Sequence, residues 1–139
     1  MTTENLAPQG IALLRIGLGV MALAHGLLKI FVFTIPGTVA FFESLGLPGI
    51  FAYGVIAAEV LGGIALILGI QTRLVALALV PVLVGATITH AGNGWVFSNP
   101  NGGWEFPAFW TLALVVQAML GDGAWRLAIP GLNSKLARA

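Results

Sequence analysis

There is no cysteine in this chain. Thiol–disulfide chemistry is therefore excluded, and with it a role like that of the disulfide-exchanging four-helix membrane oxidoreductases. Thiolate-ligated iron–sulfur centres are excluded on the same ground. Charge is almost as scarce. Only 8% of residues are Asp, Glu, Lys or Arg, against roughly 25% in soluble domains, and that deficit points to a membrane protein. The net charge of +1 comes from few, scattered basic residues, which form no phosphate-binding face. Nucleic acid is therefore not a partner. Neither H-x-x-x-H nor E-x-x-H spacing occurs, so ligands would have to converge from separate helices and no metal is expected.

What is present is apolar. Hydrophobic residues make up 58% of 139 positions, enough for about four spans of ~20 residues with their turns. The central one is the run from Ile50 to Ile70, whose only ionisable residue is Glu59. A carboxyl group at that depth rarely faces lipid and marks a buried pair or a functional site. Gly62 and Gly63 follow on the same helix face, where small residues admit a close neighbour.

The spacing predicts an all-α chain in a single integral-membrane domain, 1–139. Its spans fall at approximately 8–33, 49–70, 74–91 and 104–121, with an interfacial helix at approximately 38–45. The result is an antiparallel four-helix membrane bundle with a short helix between spans one and two. Pro8 suits a first helical turn, and Pro36-Gly37 break the first helix. Ile16 to Ala24 resembles a short signal h-region behind Arg15, but the apolar run continues to Phe33 and reads as a retained first helix. Arg15, Gly19, Ala22, Gly26 and Lys29 share one stripe of that helix. Trp104 and Trp125 are 21 residues apart, about 31 Å if helical, matching two interfacial belts. Arg73, Arg126, Lys135 and Arg138 fall on one side and Lys29 on the other, which places both termini in the cytoplasm.

Two groups of polar residues result. Arg15 and Glu59 lie at similar depth and form a candidate buried ion pair, packed through Gly19, Gly26, Gly62 and Gly63. Its plain alternative is a pair that only sets helix register. The second group lies near the outer side. His25 and Lys29 end the first span, His90 ends the third and Glu105 opens the fourth, with Trp95 and Trp104 beside them. Together these six are candidate ligand-binding residues. They suit a lipophilic ring compound whose carbonyl or hydroxyl they could hydrogen-bond and protonate. Taken singly, His90 can cap its helix, Lys29 can snorkel and Glu105 can satisfy a helix N-terminus.

Arg15, then His25-Gly26-Leu27-Leu28-Lys29, Glu59-x-x-Gly62-Gly63, Leu68-Gly69-x-x-Thr72-Arg73, His90, Gly103-Trp104-Glu105 and Gly121-x-Gly123 follow in order. This pattern resembles the DoxX family of small membrane proteins, from about Leu13 to Leu127. Many members carry a Ser-x-Asp signature after the final glycines; here Trp125-Arg126-Leu127-Ala128 stands instead. The resemblance implies a likeness to the membrane subunits of thiosulfate:quinone oxidoreductase. It implies a quinone as cofactor, and a soluble or membrane redox partner besides lipid. The function it favours is a quinone-interacting membrane subunit of a redox system in the inner membrane, without catalytic residues of its own. The alternative is a non-catalytic anchor, or a binder or carrier of a small lipophilic compound. A proton or ion pathway through Glu59 is a third reading, with few ionisable residues on the cytoplasmic half to complete it.

Overall fold

The computed structural model describes residues 3–132, with side chains from Leu6 onward, so Ser134, Lys135 and Arg138 lie outside the described residues. The described chain is all-helical, with α1 at Thr3–Phe31, α2 at Ile35–Ser44, α3 at Ile50–Leu68, α4 at Thr72–His90 and α5 at Glu105–Leu120. Three stretches, Leu6–Phe31, Ile50–Leu68 and Thr72–Asn93, are long and apolar enough to cross a membrane. At 16 residues, α5 is apolar but short, about 24 Å against the ~30 Å of a hydrocarbon core.

Several boundaries differ from the sequence expectation. The first helix begins at Thr3, so Pro8 lies inside it and not in its first turn. The break after α1 falls at Thr34, whose φ of 64° turns the chain. Thr34 then caps α2 by accepting the Gly37 N–H at 3.2 Å, and Pro36 sits in the first turn of that helix. The prolyl ring needs no N–H there, so Pro36-Gly37 start a helix where the sequence suggested they end one. Trp104 and Trp125 do not bracket a continuous helix. α5 stops at Leu120, and Gly121, at φ 85°, sends the chain back across the ends of α1 and α3.

The helices α1 and α3 run antiparallel and touch backbone to backbone. A Cβ built on Gly63 would lie 2.6 Å from the Leu23 nitrogen and 2.8 Å from the Gly19 carbonyl oxygen, so only glycine allows this approach. Further along, Gly26 faces Val60 and the Glu59 Cβ. The tight turn at Gly69–Gln71 sets α4 beside α3, and α5 returns along α4. Leu18, Ala22, Leu66, Ala76, Leu79, Leu83, Trp110, Leu114 and Ala118 form the shared core, drawn from four helices. Much of the remaining apolar surface is exposed, including Leu13, Phe31, Leu61, Ile88, Phe109 and Met119, as on a surface facing lipid.

Candidate functional site at the α1–α5 end

Glu59 stands at the midpoint of α3 and is only 4% exposed. Its partner is Lys29, near the end of α1, whose ammonium lies 3.0 and 2.8 Å from the two carboxylate oxygens. Lys29 is held from behind. Thr38 of α2 places its hydroxyl 3.1 Å from the Lys29 carbonyl and 2.8 Å from the Thr34 carbonyl. The short helix α2 thereby docks against the residue that neutralises Glu59.

The expected Arg15–Glu59 pair is not formed. The glycine contacts explain why. With Gly19 against Gly63 and Ile67, and Gly26 against Val60, Arg15 comes level with the turn after α3, more than two helical turns from Glu59. Arg15 is fully buried there, and its Nη2 donates to the carbonyls of Ala124 and Trp125 at 3.0 Å each. The same returning segment bonds Ala124 N to the Pro8 carbonyl and Leu127 N to the Leu68 carbonyl. Gly69 leaves α3 at φ 72° against the Arg15 guanidinium, and a Cβ there would overlap it. The similar depth expected of Arg15 and Glu59 fails because the antiparallel register decides which residues share a level.

The six candidate ligand-binding residues separate into distinct settings. His25 is half-buried, with its ring 6.3 Å from Phe106 and 4.8 Å from Trp110. Its Nδ1 lies 2.8 Å from the Met21 carbonyl. Lys29 is committed to Glu59. His90 ends α4 with Nδ1 2.7 Å from the Ala86 carbonyl and its ring beside Gly102. Trp95 and Trp104 are exposed, and their backbones tie the α4–α5 loop. Trp104 N donates to the Gly94 carbonyl, and the Trp95 carbonyl accepts from Glu105 N. Asn99 and Asn93 add side-chain bonds across the same loop.

That self-tied loop brings Phe97 over the start of α5, where its N–H donates to Glu105 Oε1 at 3.1 Å. Phe97, Glu105, Phe106 and Phe109 line an open surface groove of ≈ 490 Å³. The groove therefore belongs to α5 and its loop, not to a space between α1, α4 and α5 under α2. Of the six candidates only Glu105 lines it. His25 sits behind Phe106, whose ring is 5.7 Å from Trp110. Phe97, Phe109 and Trp110 escaped the sequence reading. The spacing of Phe106, Phe109 and Trp110, one helix face directly after Glu105, was the available signal.

Comparison with known proteins gives a family. The DoxX family model matches residues 10–92. A Bacillus subtilis (strain 168) protein named "Putative oxidoreductase CatD" is 40% identical over 80 residues, which is 58% of this chain and 58% of the relative. The chain thus aligns with less than two thirds of that protein. No solved structure matches it. The match includes α1, α2, α3 and α4, with Lys29 and Glu59 inside it, and runs over more than half of the chain. The chain belongs to the DoxX family.

Proposed function

We propose that this protein binds a lipophilic quinone-type ring in the outer half of a prokaryotic inner membrane, as a subunit or partner of a redox system. In this reading α1, α3, α4 and α5 are four antiparallel spans and α2 lies in the interface. Both termini are cytoplasmic, as Arg73 and Arg126 at that end and Lys29 towards the other favour. The observation that carries the reading is the groove lined by Phe97, Glu105, Phe106 and Phe109. At ≈ 490 Å³ this open groove is wide enough for one ring, and it joins apolar walls to one polar group held by the Phe97 N–H. Phe97 and Phe109 are about 70% exposed, so the mouth would be reached from the lipid. The relative's name, which includes oxidoreductase, supports a redox setting. Without cysteine the chain has no thiol redox centre, so electrons would come from a partner.

Lys29 and Glu59 have a supporting part. As a neutral pair they keep α1 and α3 together behind the His25 and Trp110 wall, without presenting net charge to the membrane interior. Equilibrium dialysis of a short-tail benzoquinone and its hydroquinone against protein in mild detergent tests the reading. Wild type should bind at least one form saturably. Phe109→Ala should weaken both by about tenfold, the equivalent of ~1.4 kcal/mol from a lost ring contact. No saturable binding of either form would leave a membrane anchor as the better account.

A further inference from the structure

Among the described residues, Glu105 is the one polar side chain that lines this site. Glu105 Oε1 accepts the Phe97 N–H, and the second oxygen of an ionised carboxylate can only accept. Behind Phe106, His25 holds Nδ1 2.8 Å from a carbonyl oxygen. A carbonyl accepts and never donates, so Nδ1 carries a proton.

The Lys29 ammonium of α1 and the Phe97 N–H are committed elsewhere. Lys29 directs its ammonium at both oxygens of Glu59 and lies 3.5 Å from the His25 carbonyl. The Phe97 N–H is held by Glu105. Trp110 Nε1 has no partner among the described residues, but it is buried in the core behind Phe106 and does not line the groove. Lys29 is therefore not the donor to a quinone carbonyl that its position in the sequence suggested.

A quinone head group carries only carbonyl acceptors. Set against Glu105, it would leave a partly desolvated carboxylate facing another lone pair, which costs binding energy. A hydroquinone carries hydroxyl groups that donate, and a hydroxyl–carboxylate bond is among the stronger kinds. We propose that the Phe97–Phe109 groove recognises the reduced, hydroxyl-bearing form of its ring ligand, with Glu105 accepting a hydrogen bond from a phenolic O–H. This inference rests on the ring-ligand reading and narrows it to a redox state. Preferential binding of the reduced form makes the bound ring easier to reduce. A tenfold preference corresponds to about 30 mV for a two-electron couple.

The test is the ratio of two affinities. Purified full-length protein is dialysed against a short-tail benzoquinone in air and against its hydroquinone under argon. Wild type should hold the hydroquinone about tenfold more tightly, the scale of one charge-assisted hydrogen bond. Glu105→Gln keeps an oxygen for the Phe97 N–H and puts an amide donor where the second carboxylate oxygen stands. Its preference should fall to parity or invert, with helical circular dichroism unchanged. Equal affinities in wild type, a preference for the quinone, or an unchanged ratio in Glu105→Gln overturns the inference. The wild-type ratio decides even if the variant folds poorly. If only this inference is wrong, Phe109→Ala still weakens both forms. If the ring-ligand reading is wrong, wild type binds neither, and the inference falls with it.

Discussion

Among the described residues, the two buried charges Arg15 and Glu59 meet different partners. Glu59 meets Lys29, and Arg15, level with the turn after α3, meets two backbone carbonyls of the returning chain. Lys29→Met leaves a carboxylate buried without its cation and should destabilise the protein by about 3–5 kcal/mol. Adding Glu59→Leu to the same chain should recover most of that loss, because the apolar replacement has no desolvation to offset. Unfolding by SDS in mixed micelles reads both. A double variant no more stable than Lys29→Met would show that the pair does more than neutralise. That Glu59 is buried and paired was legible from one carboxyl group in a long apolar run. Which cation it meets was not, since Arg15 and Lys29 flank the same glycine stripe and only the helix register chooses between them.

At the scale of elements, the α1–α3 contact sets that register. Gly19 and Gly26 face α3 where a Cβ would meet its atoms at 2.7–2.9 Å, and Lys29 ends the same stripe at Glu59. Gly63→Ala places a Cβ against the Leu23 backbone, which cannot swing aside as a side chain would. It should destabilise by about 1–3 kcal/mol, as overpacking does. Gly54→Ala, on the same helix with nothing within 4 Å, is the control and should be neutral or better by up to ~1 kcal/mol. Equal effects from both would mean that helix propensity, not close approach, governs these positions. Periodicity revealed the α1 side of this contact, but it set Gly62 beside Gly63 against α1, whereas Gly62 faces Leu79 of α4. It also gave the end of α5 at Gly121, but not that the chain beyond it turns back onto Arg15. Nor did it reveal the groove. That depends on a loop of Asn and Gly whose bonds to itself bring Phe97 back over α5, a contact between residues with no common repeat.

For the whole molecule, the alternation of helices sets the Arg15 end apart from the end that carries Lys29 and the α4–α5 loop. Single cysteines at Asn93 and Ser134, in a chain that has none of its own, can be probed with an impermeant reagent on intact cells. Labelling at Asn93 alone is the outcome that cytoplasmic termini require, and labelling at Ser134 alone reverses the orientation. The family match and the apolar helices make this a membrane protein; what occupies the groove is the claim on which the rest turns. The most direct measurement is mass spectrometry of the lipophilic molecules that leave the membrane with the protein in mild detergent. The account predicts a quinone or hydroquinone with wild type, depleted in Phe109→Ala at equal protein recovery. Phospholipid alone in both samples, or a ring compound retained equally by both, would contradict it.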